Sequence, residues 1–370
     1  MTRPQQKDLA AVLEAEGALP AAWAATVRKV DRGLFIPDTT RELDRAADPQ
    51  AWAEAVYSDR PIVVQWDDGE AGGHGFPTSS SSKPSLMLEM LDLLDVGPDD
   101  RVYEIGTATG YNAAWLCNQL SDEQVTTCEF DEGLYRAARK NLEAAGYKPT
   151  TIHGDGLLGH PPRAPFTRIM ATCALRKIGP QLLAQIADGG RILAPYGDSF
   201  HSYSFLVLDV HDGEGVGRFT GNPDFMWARQ QRGRMAAISD IYHQEKGDIG
   251  RTTVAPYDLT GEPDAEFFIS HKVPGAWSQL HAGGEDAPGE ATYWLLSDDR
   301  ESWATVEYIE GQEDFETEQF GPRRLWDEAH RAYEEWTELG RPGRDRFGLT
   351  VTPGGEQLWL DEPHHVIAHR

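Results

Sequence analysis

The sequence predicts an α/β fold with a doubly wound, mainly parallel sheet, followed by a C-terminal α+β extension. From residue 84 onward, short apolar runs alternate with helical patterns at the spacing of strands joined by crossover helices. A glycine-rich turn at residues 106–110 joins one of these strands to the next helix. Beyond residue 215 the candidate strands follow one another without regular helices, so the two halves are predicted to be built differently.

The length of 370 residues suits two domains, and the pattern divides the chain into three parts. Residues 1–83 form an N-terminal segment of helices and loops that precedes the core. Residues 84–214 form the core, which we expect to bind a cofactor. Residues 215–370 form an α+β domain, which we expect to recognise the substrate.

The elements of the core follow in order. Pro84 suits the first turn of a helix, and apolar residues recur at helical spacing up to Leu94. Further helices are expected at about 113–120, 134–142 and 180–187, and Gly146 suits the end of the third helix. The expected strands span residues 102–105, 125–129, 150–153, 168–171 and 191–194, with a sixth candidate at 204–209.

The C-terminal half mixes strands with one clear helix. Its candidate strands span residues 266–271, 292–296, 303–309 and 357–360. The helix, at residues 323–339, carries an apolar stripe that includes Leu325, Trp326 and Trp336. Seven of the eleven tryptophans lie in this half. We expect most of its aromatic side chains to pack in a core and an exposed subset to contact a ligand.

The composition excludes several classes of partner. A net charge of −26 opposes binding to nucleic acid and to anionic lipid, because both need a basic surface. No apolar run reaches the roughly 18 residues of a membrane span, and the N-terminus has no apolar leader. The three cysteines, Cys117, Cys128 and Cys173, are spaced too widely for a zinc site or a disulfide framework. We therefore predict a cytoplasmic protein with reduced thiols and no metal.

The glycine-rich turn carries the strongest functional signal. It reads Glu104-x-Gly106-x-x-x-Gly110 and follows a strand, where open α/β sheets bind ligands. Glycines allow a tight turn and a close approach of the backbone to the ligand. Position 108 is Ala, so the turn departs from the Gly-x-Gly-x-x-Gly pattern that holds the pyrophosphate of a dinucleotide.

Acidic residues after the next two strands complete the pattern. Glu129 ends the second strand, where a carboxylate can accept both ribose hydroxyls. Asp155 and Gly156 follow the third strand, where a carboxylate can accept from an adenine amino group. A sulfonium is a cation and tolerates nearby carboxylates. A pyrophosphate is an anion, which such carboxylates would repel. The pattern predicts S-adenosyl-L-methionine as cofactor and S-adenosyl-L-homocysteine as product, on a class I Rossmann-like fold.

From about residue 35 to 197 the sequence resembles the protein-L-isoaspartate O-methyltransferases. The resemblance rests on residues 102–114 (VYEIGTATGYNAA), 128–131 (CEFD) and 153–156 (HGDG). Residues 186–197 resemble the family's final strand region. Ser82-Lys83-Pro84 resembles the family's Ser-x-Pro, which opens the helix beside the methyl-transfer site.

The resemblance implies an acceptor side and a donor side. Ser82 would be the catalytic residue, close to the substrate carboxylate. The donor would contact Ser81, Glu104, Gly106, Thr107, Ala108, Gly110, Tyr111, Glu129, Phe130, Asp155, Gly156 and Leu157. An aspartyl carboxylate has a pKa of about 4 and is ionised at neutral pH. Transfer therefore needs in-line positioning and exclusion of water rather than a general base.

Departures from the family lie on the acceptor side. Ser85 stands where the family usually has His, residues 79–82 are all Ser, and the long C-terminal extension is one that repair enzymes are expected to lack. This layout resembles the peptide-tailoring branch, as do residues 222–229 and 346–350. Enzymes of that branch methylate one Asp of a macrocyclised ribosomal peptide, a graspetide or lanthipeptide, and lead to an aspartimide or isoaspartate.

The branch implies a modified precursor peptide as partner, and it leaves room for association with a neighbouring peptide-modifying enzyme. Trp227 is the candidate peptide contact. Three alternatives stay open. One is general repair of isoaspartyl residues, which needs an open site for many sequences; another is methylation of a small-molecule carboxylate. The third is a donor-binding or peptide-binding protein without turnover, which would need a spoiled donor motif.

Overall fold

The computed structural model describes residues 3–198, 200–233, 237–284 and 287–369. The helices are α1 (Gln6–Ala15), α2 (Ala24–Lys29), α3 (Pro49–Val56), α4 (Pro84–Leu94), α5 (Tyr111–Gln119), α6 (Glu132–Ala145), α7 (Pro180–Leu183), α8 (Pro256–Thr260), α9 (Pro263–Lys272) and α10 (Leu325–Glu338). The strands are β1 (Ile62–Trp66), β2 (Pro77–Ser81), β3 (Val102–Ile105), β4 (Val125–Glu129), β5 (Thr150–His153), β6 (Phe166–Ala171), β7 (Ile186–Asp198), β8 (His201–His211), β9 (Glu214–Thr220), β10 (Asp248–Thr252), β11 (Ala276–Ala282), β12 (Glu290–Ser297), β13 (Trp303–Ile309), β14 (Phe315–Phe320), β15 (Phe347–Thr352), β16 (Gly355–Leu360) and β17 (Val366–His369).

Within the described residues, ten strands form one mixed sheet in the order β17-β16-β15-β9-β8-β7-β6-β3-β4-β5. Strands β3 to β7 pair in parallel. Beyond β7 the pairing turns antiparallel. The predicted Rossmann-like α/β core is confirmed, and it is joined edge to edge with an antiparallel half that the sequence did not reveal.

The sheet crosses the boundary predicted between residues 214 and 215. Strand β9 hydrogen-bonds to β8 on one side and to β15 on the other, so the C-terminal half supplies the outer strands of the core sheet. Antiparallel pairing between distant strands cannot be predicted from the local sequence, because a strand shows the same alternation of buried and exposed side chains whichever strand it pairs with. The division of the chain into a core and a substrate-recognition domain stays a prediction.

Alternating side chains of the parallel strands fill two buried clusters, one on each face of the sheet. Tyr103 and Ile169 point into one cluster, whereas their neighbours Val102 and Met170 point into the other. Helices α1, α2, α4 and α5 contribute to the second cluster. Helices α9 and α10, from the C-terminal half, contribute to the first, so that half forms part of the core.

A second sheet, entirely antiparallel, has the order β10-β14-β13-β12-β11. The strand predicted at residues 266–271 is wrong, because this segment belongs to helix α9. Pro263 opens the helix, and residues 267–271 are all buried. A helix that is buried on most sides shows no amphipathic period and cannot be distinguished from a buried strand by pattern alone.

The end of the parallel core also differs from expectation. The helix predicted at residues 180–187 stops at Leu183, and β7 starts as early as Ile186. Strand β7 therefore runs through Gly189 and Gly190. Gly146 does end α6, with a φ of 87°, as its position predicted.

Candidate active site

A cavity of about 510 Å³ opens at the carboxyl ends of β3 and β4. This volume lies within the range of small-molecule sites, about 300–1,000 Å³. Most of its lining comes from four parts of the chain: the β1–β2 hairpin with the start of α4, the glycine-rich turn after β3, the loop after β4, and residues 224–230. Topology brings the turn after β3 and the loop after β4 together, because the carboxyl ends of parallel strands meet at one edge of a sheet. The β1–β2 hairpin belongs to a separate antiparallel sheet and reaches the cavity from outside the parallel core.

Backbone geometry explains the residues of the glycine-rich turn. Gly106 has a φ of 100°, and a Cβ at this position would lie 2.6 Å from Thr172 Oγ1. That hydroxyl donates a hydrogen bond of 2.6 Å to the Gly106 carbonyl, which holds the turn against β6. Ala108 adopts a φ of 47°, unusual for a residue with a side chain. Its N–H thereby reaches Glu129 Oε2 at 2.8 Å.

Glu129 lies at the rim of the cavity with 7% of its surface exposed. Its two carboxylate oxygens each accept one backbone hydrogen bond, from Ala108 N at 2.8 Å and from Asp131 N at 3.0 Å. Burial raises the pKa of Glu129, and these two N–H groups oppose the shift. A carboxylate has about four lone-pair sites, so Glu129 retains the capacity to accept two hydroxyl groups.

Glu104 is fully buried beneath the glycine-rich turn. It accepts hydrogen bonds of 2.6 Å from Asn112 Nδ2 and from Thr127 Oγ1. Burial raises the pKa of Glu104 to about 7, although both hydrogen bonds favour its ionised form. A cation bound in the cavity would stabilise the carboxylate further, so Glu104 suits a positively charged ligand.

Two thiols also line the cavity, those of Cys128 and Cys173. Burial raises the pKa of Cys128 to about 11 and that of Cys173 to about 12. Both are therefore protonated at neutral pH, and a protonated thiol is a poor nucleophile. An electrophile bound in the cavity would not be consumed by these side chains.

The side of the cavity formed by Ser81 and Ser82 rests on a buried arginine that the sequence patterns did not indicate. Arg32 is fully buried, and burial lowers its pKa to about 10, so it stays charged at neutral pH. Its guanidinium donates hydrogen bonds to the carbonyls of Val56, Ser58, Arg60, Ser81 and Ser82. The backbone of Ser81 and Ser82 is thereby fixed beside the cavity. A single Arg in a helical segment gave no signal of this role.

Comparison with known proteins identifies the fold's relatives. Residues 5–226 match the family model for protein-L-isoaspartate(D-aspartate) O-methyltransferase. The chain belongs to this family. It is 33% identical over 196 residues to a protein-L-isoaspartate O-methyltransferase of Hyperthermus butylicus, covering 50% of this chain and 72% of that protein. It is 34% identical over 214 residues to protein-L-isoaspartate O-methyltransferase 1 of Nitrosospira multiformis, covering 56% of this chain and 80% of that protein.

A solved structure described as a protein-L-isoaspartate O-methyltransferase has a similar fold, with a TM-score of 0.56 at 18% identity. The alignment covers 96% of this methyltransferase and all of the other chain. The likeness thus extends beyond residue 226 into the C-terminal half.

The family assignment makes the chain an S-adenosyl-L-methionine-dependent carboxyl O-methyltransferase. The residues that line the cavity fit this cofactor. Glu129 retains acceptor capacity at the rim, Glu104 suits a cation, and a Cβ at Gly106 would crowd the turn. Gly156 is equally constrained, since a Cβ there would lie 2.7 Å from Ile105 Cγ2.

The structure brings most of the predicted site residues of this methyltransferase together. Those that line the cavity are Ser81, Ser82, Glu104, Gly106, Thr107, Ala108, Tyr111, Glu129, Phe130, Gly156 and Trp227. Gly110, Asp155 and Leu157 are not among the lining residues. Asp155 Oδ1 accepts from Leu157 N and from Gln230 Nε2, each at 2.9 Å. Its role as an adenine acceptor stays a prediction.

Several cavity residues were not predicted. Lys83 lines the cavity beside Ser82, with half of its side chain exposed and its Nζ 3.3 Å from Asp59 Oδ2. In the sequence it is the x of Ser82-Lys83-Pro84, a position with no predicted role. Residues 224–230 form a wall of the cavity, although only Trp227 among them was a predicted ligand contact.

Among the described residues, no helix combines the length and apolar character that a bilayer crossing requires.

Proposed function

We propose that this methyltransferase methylates an Asp side-chain carboxylate of a ribosomally synthesised, macrocyclised peptide, a graspetide or lanthipeptide. The proposal is supported by which parts of the chain form the cavity walls. Donor-side motifs are those of the family, whereas the acceptor side combines a run of four serines at 79–82 with residues 227–230, which lie beyond the matched residues 5–226. A changed acceptor wall beside a retained donor site favours a changed substrate.

The reaction needs little from the protein beyond placement. S-adenosyl-L-methionine, when bound, supplies an electrophilic methyl group. The methyl group would pass to a carboxylate oxygen of the peptide, and the donor would leave as the uncharged thioether S-adenosyl-L-homocysteine. In the proposed geometry the Ser82 hydroxyl donates to the carboxylate and the Lys83 ammonium attracts it. The walls at Phe225 and Trp227 exclude water.

The methyl ester then changes the peptide without further help from the enzyme. The backbone nitrogen that follows the modified Asp attacks the ester carbonyl, loses its proton, and expels methanol. A five-membered succinimide, the aspartimide, results, and its hydrolysis gives isoaspartate. We place this chemistry in the cytoplasm, where the three free cysteines would stay reduced. A neighbouring peptide-modifying enzyme would deliver the cyclised precursor.

Repair of isoaspartyl residues in proteins is the second candidate function. It is favoured by the relatives, which are described as protein-L-isoaspartate O-methyltransferases, and by the similar solved structure that covers 96% of this chain. The two functions differ in the acceptor. Mass spectrometry with a cyclised peptide, its linear form and a short isoaspartyl peptide distinguishes them.

Ser82→Ala tests the acceptor side. Because a hydrogen bond to a charged group contributes about 1.5–3 kcal/mol, we expect turnover to fall roughly 10- to 100-fold. Donor affinity should change little. Ser82 is not the N-cap of α4, since that position is Lys83 and no side chain caps the helix. A stability change beyond about 0.5 kcal/mol is therefore not expected, as for most surface substitutions.

The matched control for Ser82→Ala is Ser85→Ala. Ser85 lies in the first turn of α4 and does not line the cavity. Turnover per folded molecule should match wild type in this variant. If Ser82→Ala and Ser85→Ala both retained wild-type turnover, Ser82 would have no part in orienting the acceptor.

A further inference from the structure

Residues 227–232, which we call the strap, begin where the match to the family model ends at residue 226. The strap starts on the core, because Trp227 forms a parallel bridge with Ala174 and the Ala228 N–H donates to the Ala174 carbonyl at 3.0 Å. It then turns, with the N–H of Arg232 donating to the Ala228 carbonyl at 2.8 Å. Residues 227–230 line the cavity. The strap is therefore anchored to the core and forms part of the cavity wall.

Arg229 connects the strap to two other walls of the cavity. Its Nη1 lies 3.2 Å from Asp131 Oδ2, and its Nε lies 3.1 Å from Asp68 Oδ1. It also donates to Gln65 Oε1. The side chains of Arg229, Asp131 and Asp68 are only 18%, 16% and 25% exposed. Solvent screens such partly buried pairs less than surface pairs, so they hold their geometry better.

Asp131 belongs to the donor side. Its backbone N–H donates to Glu129 Oε1 at 3.0 Å, and its carboxylate caps α6 by accepting from Leu134 N at 2.9 Å. The Arg229 guanidinium also lies 5.9 Å from the centre of the Phe130 ring. Arg229 therefore contacts the two residues that directly follow Glu129 in the chain.

Asp68 belongs to the acceptor side. It lies in the loop of the β1–β2 hairpin with a φ of 56°, a strained conformation for a residue with a side chain. The Asp68 N–H donates to Thr78 Oγ1 at 3.0 Å, which ties the loop to β2. Strand β2 leads directly to Ser82. The position of Asp68 is thus linked to the position of the acceptor serine.

We propose that Arg229 is a positioning residue that couples the donor loop to the acceptor hairpin. Binding of the donor orders the loop that carries Glu129 and thereby fixes the position of Asp131. Because Arg229 pairs with both Asp131 and Asp68, the position of Asp68 is then fixed as well. Such coupling is reciprocal, so an ordered hairpin also favours donor binding. The proposal rests on the donor site alone and is independent of which carboxylate is the acceptor.

Arg232 offers a matched control within the strap. Its Nη2 lies 2.5 Å from Asp68 Oδ2, so it binds the same carboxylate as Arg229. Its side-chain hydrogen bonds go to Asp68 rather than to Asp131. Loss of Arg232 therefore removes a cation from the hairpin but leaves the connection to the donor loop through Arg229.

Hydrogen–deuterium exchange with and without S-adenosyl-L-homocysteine tests the coupling in the full chain. In wild type, the ligand should slow exchange in residues 104–110 and, by roughly tenfold, in the hairpin at residues 62–81, a size typical of coupled sites. Arg229→Gln should retain the slowing at 104–110 and lose that of the hairpin. Arg232→Gln should behave as wild type.

A second variant covers the case in which Arg229→Gln does not fold. Asp131→Asn weakens the contact with Arg229 while Asn retains the helix cap, and we expect the same loss of hairpin slowing. Undiminished slowing of the hairpin in either folded variant would overturn the proposal, and so would an equal loss in Arg232→Gln. Absence of slowing at 104–110 in wild type would overturn the donor site itself and the proposal with it. Because no acceptor is present, none of these results depends on the peptide.

Discussion

A cyclised peptide should be methylated with a kcat/KM roughly 100-fold above that of its linear precursor. Fixing the backbone of a residue costs about 1–2 kcal/mol, and a macrocycle has already lost that freedom for the residues around its Asp. Ring closure through side-chain esters or amides also removes carboxylates, which lowers repulsion from a protein of net charge −26. Both effects act on the same step, the docking of the acceptor.

Mass spectrometry follows this reaction directly. The product should first gain about 14 Da as the ester forms, and then lose methanol to lie about 18 Da below the starting peptide, as the nearby backbone nitrogen closes the ring. The linear precursor is the matched control, and a short isoaspartyl peptide represents the repair reaction. Equal rates on cyclised and linear peptides, or efficient methylation of the isoaspartyl peptide, would assign the protein to repair.

Gly106→Val should reduce donor affinity by at least tenfold and suppress methyl transfer. The new Cβ would lie 2.6 Å from Thr172 Oγ1, and the φ of 100° is one that a β-branched residue tolerates poorly. The turn would have to move out of the position that approaches the donor. Titration calorimetry with S-adenosyl-L-homocysteine measures the effect without any acceptor.

Gly146→Val controls for the backbone strain in Gly106→Val. Gly146 has a similar φ of 87°, and a Cβ there would meet nothing within 4 Å. Both variants should lose stability, but only Gly106→Val should lose donor affinity.

Glu129→Ala tests the donor site independently, with an expected loss of about 1–3 kcal/mol in the free energy of donor binding. Its control is Glu132→Ala, since the Glu132 side chain is exposed. Unchanged affinity in folded Gly106→Val and Glu129→Ala would contradict the donor site.

Sequence patterns predicted which residues of the candidate donor site meet at one cavity, because their positions are set locally. Gly106, Glu104 and Glu129 each lie at the end of a short buried strand, and the topology of a parallel sheet brings such ends together. The turn geometry is also local, since the glycine spacing sets where the backbone can adopt positive φ. These features could be placed before any tertiary contact was known.

The acceptor half depends on contacts between residues far apart in sequence. Arg32 bonds to carbonyls as distant as that of Ser82, and Arg229 pairs with Asp68 across 161 positions of the numbering. No spacing rule connects such residues, because the chain between them is free to fold in many ways. Helix α9 was missed for a different reason, since its burial on most sides removed the period that marks a helix.

The pairing of β9 with β15 has a consequence for how the protein can be made and altered. Residues 215–218 of one strand bond to residues 348–351 of the other, so more than a hundred residues separate the two halves of a single sheet. During synthesis β9 leaves the ribosome with an unpaired edge that stays open to other chains until β15 emerges. A truncation after residue 226 would make that exposure permanent. Fusion or shortening of this enzyme should therefore preserve β15 and β16, even where only the donor site is wanted.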